Sequence, residues 1–199
     1  ADVDVESAAV QASIRAIVAR GTAVASTLAV YETFSPERAR LDSAAMEMLA
    51  PVTRKEVEAN HAGLAGSGFT VSVTLLKKMM AWERAFVRAG GLLGAGCDPW
   101  GTGFLPGFGD LRNYELLVEA GFSAEEAIRI MTLNGARIVG KERQIGSIAR
   151  GKTADLVVIR GNPVVTPREI YGVVTVFKGG TGYDSMKLRE SVKGRIGGS

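Results

Sequence analysis

The chain has one cysteine, Cys97, and one histidine, His61, among its 199 residues. A lone cysteine excludes an internal disulfide and fits a reducing, cytoplasmic setting. A lone histidine leaves Cys97 with a single candidate base. Long apolar runs are also missing. No stretch approaches the roughly 20 residues that cross a bilayer, and no signal-peptide pattern opens the chain. Clustered charge is absent too. The net charge is +3 and the basic residues are scattered, which argues against a nucleic-acid or membrane partner. There is no internal repeat. Nor is there an initiator methionine: Ala1 leads almost directly into a helical pattern, and we read the chain as a piece of a longer polypeptide.

What is present is an ordinary globular composition, 46% hydrophobic, sufficient for one large domain or two small ones. Residues 7–20 are expected to form a helix with Val10, Ile14, Ile17 and Val18 on one face and Gly21 as its C-terminal turn. Residues 22–30 read as a β-branched strand ending near Tyr31 and Glu32. Ser35-Pro36 signals a helix start, and 37–68 reads as helical pieces interrupted at Pro51. Residues 74–89 give the clearest helix. Its stripe is Leu75, Met79, Trp82 and Phe86, flanked by Leu76, Met80 and Val87, with Glu83 and the basic residues facing out.

Gly90-Gly91 ends that helix, and a short strand follows over 91–97, closing on Asp98-Pro99. Alternation puts Gly94, Gly96 and Asp98 on one face and Leu93, Ala95 and Cys97 on the other. A carboxylate there has room beside it for an ion or a substrate. The same Asp98 is equally readable as a cap of the turn at Pro99–Gly101. Strands separated by helices argue for parallel pairing. A glycine-rich loop runs to Gly109, a helix covers 112–120, and Ser123-Ala-Glu-Glu126 is a capping box opening another. Beyond Gly140 the period shortens. Runs at 144–149, 155–159 and 173–177, punctuated by turns, predict a small antiparallel β unit with a hairpin from 173–178 to Tyr183. The tail, 193–199, is expected to fray.

Three strings now carry a resemblance: Gly94-Ala-Gly-Cys-Asp98, Glu115-Leu-Leu-Val-Glu-Ala-Gly121-Phe-Ser-Ala-Glu-Glu-Ala127 and Thr132-Leu-Asn134-Gly-Ala136. The run from Gly146 through Asp155-Leu-Val-Val-Ile, with Asn162-Pro163, extends it. The chain resembles the C-terminal portion of metal-dependent amidohydrolases, in the branch of imidazolonepropionase-like and Xaa-Pro dipeptidase-like proteins. The resemblance implies an α/β fold: the last two strands and helices of a (β/α)8 TIM barrel over 1–140, and C-terminal strands of a small β-sandwich plus tail over 141–199. It implies that Asp98 matches the strand-end aspartate that binds metal and handles the catalytic proton. It implies hydrolysis of an amide-like C–N bond in a small substrate, a dipeptide or an N-acyl amino acid. One or two divalent ions, with zinc expected, would activate the water.

The family's other metal ligands are not in this sequence, so most ligands are expected from a missing N-terminal part of the same protein. Alone, the chain is expected to be inactive, loosely packed or aggregating, and unable to hold zinc. His61 reads as a surface or packed histidine. The glycines at 94, 96 and 101 miss the dinucleotide spacing. Cys97 reads as a buried structural thiol, and Asp155 as a structural turn residue. Tyr31, Trp100, Phe104, Arg112 and Tyr114 are candidate substrate-binding residues. Trp100, Phe104 and Phe108 serve equally as loop anchors, and Arg112 as either a substrate-carboxylate partner or a salt bridge. The alternative to an enzyme is an inactive binding or assembly module. An upstream His-x-His would decide between them. A homo-oligomer is left open.

Overall fold

A computed structural model describes residues 3–99 and 105–198. Helix α1, Ala8–Ala19, begins where the Ser7 hydroxyl accepts the Val10 amide and ends before Gly21 at φ 65°. Strand β1 covers only Val24–Ser26, shorter than the β-branched sequence predicts. The chain then coils into α2, Leu28–Thr33. The cause is tertiary: the Ala29 amide donates to the Asn113 side chain at 3.0 Å, a bond that replaces a continued ladder. The Ser35-Pro36 signal produces one turn, not a helix, closed by Arg38 and Ala39 amides on the Ser35 carbonyl. Helix α3, Ser43–Met48, starts later, on the Asp42 carboxylate. Helix α4, Pro51–Gly63, takes Pro51 in its first turn, where a missing N–H costs nothing.

Helix α5, Val73–Arg88, is capped by Ser72. Its buried stripe is Leu76, Met80, Glu83 and Phe86, while Leu75 is exposed. The expected stripe is therefore rotated, and Glu83 points in rather than out. Strand β2, Leu93–Ala95, pairs parallel with β1, Val24 opposite Leu93 and Ser26 opposite Ala95. Helix α6, Phe108–Glu119, begins one turn earlier than expected, because the Asp110 carboxylate accepts the Gly107 amide. Helix α7, Ala124–Arg129, opens on the predicted capping box, with both reciprocal bonds formed. It runs through a π turn at Ile130–Asn134 into α8, Gly135–Ile138.

A three-stranded antiparallel sheet follows: β3, Leu156–Ile159; β4, Val173–Lys178; and β5, Thr181–Asp184. The predicted hairpin is there, with Val176 opposite Tyr183. Asp155 ties its base by accepting the Gly179 amide and pairing with Lys178. Residues 144–149 are irregular instead of extended. They wrap the Lys152 ammonium, which donates to the Glu142 and Ile145 carbonyls and the Ser147 hydroxyl. Val157, Val158, Val174 and Tyr183 of the sheet are exposed.

The tail does not fray over its described length. After α9, Ser185–Val192, it lies against the α3–α4 junction. The Arg195 and Ile196 amides donate to the Met48 carbonyl, and the Ala50 amide to that of Ile196. One buried cluster joins α1, α2, α5, β2, α6 and α7, with Ile14, Leu28, Phe86, Leu93 and Leu117 at its centre; Ile170 of the β unit reaches into it. A second, around Met46, Leu49, Val57 and Leu105, lies under the tail's docking segment. Among the described residues no helix is long and apolar enough to cross a membrane.

Candidate functional site

The β1–β2 pair has two unlike faces. Val24, Ser26, Leu93 and Ala95 turn toward the main core. On the other face, Gly94 lies under Ile138, whose Cδ1 would stand 2.6 Å from any added Cβ. Among the described residues, a Cβ on Gly96 would meet nothing within 4 Å. The room expected beside the strand end is filled at Gly94, and no described residue fills it at Gly96. Asp98 follows, exposed, with φ 45°. That left-handed conformation is the only one at a non-glycine among the described residues. Aspartate tolerates it better than most residues, and such outliers concentrate at functional sites. Cys97 beside it is buried, and burial together with the nearby Asp110 carboxylate pushes its thiol up to about 11. It is protonated at neutral pH and makes a poor nucleophile.

A cavity of about 460 Å³ opens elsewhere, between the end of α2, the segment leading to α3, the start of α6 and the 3-10 turn at Pro167–Tyr171. Its floor is an ion network. Glu32 is only 5% exposed, and its carboxylate receives Arg112 Nε and Nη2 at 2.7 and 2.8 Å and Arg38 Nε at 2.8 Å. Arg38 also makes a two-pronged pair with Glu119, at 2.6 and 2.7 Å. Arg112 Nη1 reaches Glu115, which also accepts from Tyr171 Oη. Bidentate pairs of this kind are the strong form of the interaction. The Glu119 hydrogen bonds hold the Arg38 guanidinium above its usual value. Burial would lower that of Arg112, but the Glu32 carboxylate outweighs it.

The site residues expected from sequence do not converge on one pocket. Arg112 lines the cavity, but its nitrogens are committed to Glu32 and Glu115; of its two readings, the salt bridge is the one formed. Tyr114 is fully buried and donates its hydroxyl to the Pro163 carbonyl at 2.8 Å, anchoring α6 to the β unit, and it does not line this cavity. Tyr31 lies in α2, half-buried against the main core. Trp100 and Phe104 lie outside the described residues. His61 sits in the last turn of α4. Asp98 does not line the cavity.

Two carboxylates differ from their sequence expectations. Glu32, a weak substrate-site candidate beside Tyr31 at a strand end, is instead the buried hub of the ion network. Glu83 was assigned to solvent, although its spacing from Leu76 and Met80 places it on the buried stripe. Its environment is the reverse of Glu32's. Burial pushes its carboxyl up to about 7, a rise that the Ser26 hydroxyl only partly opposes, and among the described residues its Oε2 has no hydrogen-bond partner.

Among the described residues, no three of His, Cys, Asp and Glu gather as a metal-binding group. Asp98 brings one carboxylate where a catalytic zinc takes three protein ligands and water, so by themselves these residues do not fit a metal centre.

The architecture is that of an α/β chain forming the C-terminal part of a (β/α)8 barrel with sheet strands attached. Residues 108–183 match the Amidohydrolase family. Imidazolonepropionase of Clostridium tetani (strain Massachusetts / E88) is 37% identical over 89 residues, covering 42% of this chain and 20% of that protein. A Xaa-Pro dipeptidase solved with bound methionine in its active site superimposes with a TM-score of 0.57 at 20% identity, over 87% of this chain and 37% of its own. A prolidase complexed with N-methylphosphonate-L-proline gives 0.58 at 22%, over 87% and 38%. The chain thus spans about a fifth of the curated relative and under two-fifths of the solved structures. At these identities the solved structures speak to fold alone. The resemblance to amidohydrolases, confined to a C-terminal portion, stands. Asp98 precedes the segment that matches the family.

Proposed function

We propose that this chain forms the closing part of a metal-dependent amidohydrolase and contributes Asp98 to its reacting centre. The observation that carries this reading is the placement of Asp98. It stands three residues past the C-terminal end of the parallel strand β2, exposed, in a left-handed conformation, near Gly96, whose Cβ position meets none of the described residues. In barrel enzymes the reacting groups sit at strand C-termini. The carboxylate takes a proton from water as the oxygen attacks the carbonyl carbon, then returns it to the nitrogen as the C–N bond breaks. One or two divalent ions, zinc in our reading, would polarise that carbonyl. Their remaining ligands come from outside these residues. The substrate is a small amide, a dipeptide or an N-acyl amino acid. The missing N-terminal part of the polypeptide is the obligatory partner.

The test uses the complete polypeptide, assayed for metal content and for hydrolysis of Xaa-Pro dipeptides and N-acyl amino acids. Asp98→Asn is expected to lower kcat by about a thousandfold, within the range for removal of a general base, with circular dichroism unchanged. Full activity in that variant overturns the assignment. A folded polypeptide that neither binds metal nor hydrolyses either substrate class is instead the assembly module.

A further inference from the structure

The cavity over Glu32 is not used by the chemistry assigned to Asp98, and its charges divide into two groups. On the floor, Glu32, Glu115 and Glu119 take up Arg38 and Arg112, with each guanidinium nitrogen engaged. The mouth is different. Arg40 and Arg168 line it, both exposed, and among the described residues neither has a carboxylate partner. Arg168 lies over the Tyr171 ring, 5.6 Å from its centroid. Stacking of this sort orients a guanidinium while leaving its in-plane N–H groups free for an oxyanion. Tyr171 is itself held by Glu115, so the platform under Arg168 is fixed to the floor. The remaining mouth carboxylate, Asp42, already accepts the Ala45 amide as the cap of α3.

The occupant follows from these properties. A cation has no free carboxylate pair to enter, because the floor acids are taken by arginine. An inorganic anion would fill little of the space, which lies in the size range of organic-ligand pockets. One wall is apolar, made by Leu41, Ala45 and Phe108. A second hollow of about 450 Å³ on the far side of Arg38 shares Arg40 but has only Val73 as an apolar wall, so it offers a weaker seat for an organic body. We propose that the cavity binds a small organic carboxylate, its head between Arg40 and Arg168 and its apolar body against Leu41, Ala45 and Phe108. The proposal does not rest on Asp98 or on a bound metal.

The experiment is calorimetric titration of the complete polypeptide with 3-phenylpropionate, and in parallel with 3-phenylpropanamide and inorganic phosphate. Saturable one-to-one binding of the carboxylate is expected. Arg40→Gln or Arg168→Gln should each weaken it by about tenfold, the worth of one charge-assisted hydrogen bond. Both positions are exposed, and unchanged melting curves will show that the fold persists. Asp98→Asn should leave this binding untouched, which separates failure of this site from failure of the hydrolase reading. The proposal is overturned by no saturable binding, by equal affinity for the amide or for phosphate, by indifference to both arginine substitutions, or by loss of binding in Asp98→Asn.

Discussion

Two glutamates are buried within the same fold, and their surroundings could hardly differ more. Glu32 closes α2 and is wrapped by two guanidinium groups. Glu83 sits on the inner stripe of α5 with a serine hydroxyl for company and one oxygen without a partner. Both lie in low-dielectric surroundings, where an unpaired charge costs several kcal/mol. The first is met by Arg38 and Arg112, which the chain brings to it from six and eighty residues away. The second relieves the same penalty by holding its proton to near neutral pH. Burial alone therefore does not fix the surroundings of a carboxylate; the neighbours that the topology delivers do.

The largest effect should come from breaking the first arrangement. Glu32→Gln leaves Arg38 and Arg112 side by side with their shared counter-charge gone. Removing one partner of a buried pair costs about 3–5 kcal/mol, and because both arginines are partly exposed the lower end applies. Denaturant melts of the complete polypeptide should show a loss of about 3 kcal/mol. A loss below about 1 kcal/mol, the level of a surface ion pair, would mean that the network is decorative.

Glu83 supplies the opposite test, with the sign fixed by linkage. Its folded pKa, about 7, lies above the ordinary 4.5. The folded state therefore holds a proton that the unfolded state has released. Stability is fully present below about pH 4.5 and falls as pH rises through 7, by on the order of 3 kcal/mol in total. Glu83→Gln should abolish this decline and make the protein more stable than its parent above pH 7. Melting temperatures recorded from pH 4 to pH 8 on both proteins check it; parallel curves would sink the idea.

How much of this was legible beforehand depends on how local its cause is. The Ser123–Glu126 capping box is a contact between residues three apart, and it formed as read. Pro51 and the parallel order of β1 and β2 were likewise carried by short-range signals. Where a distant group intervened, the reading failed. Asn113 captured the Ala29 amide and cut β1 short. Arg38 was drawn to Glu32 and Glu119, so the Ser35-Pro36 signal ended after one turn. Lys152 gathered three acceptors and bent 144–149 out of a strand. The tail was assigned to solvent because nothing in it announces the Met48 carbonyl. Glu83 is the exception, since its helical spacing was in plain view and its charge obscured it. As for the site, the strand expected over 91–97 stops at Ala95, three residues short of Asp98, and the cavity is built from residues between 32 and 171 that no window of sequence brings together.

The smallest expected effect sharpens the comparison at its outer edge. Glu119 also holds Arg38, in a two-pronged pair, but its side chain is 38% exposed. The Arg38 guanidinium draws its carboxyl below the usual range, yet solvent screens much of that attraction. Glu119→Gln should cost under about 1 kcal/mol, and raised salt should shrink the difference further. The Glu32→Gln deficit should persist in the same salt, because its pair is shielded from mobile ions. A melt series in increasing sodium chloride tests this directly. If the two variants respond to salt alike, the network acts as one surface-screened cluster, and the distinction between a buried floor and an exposed arm is lost.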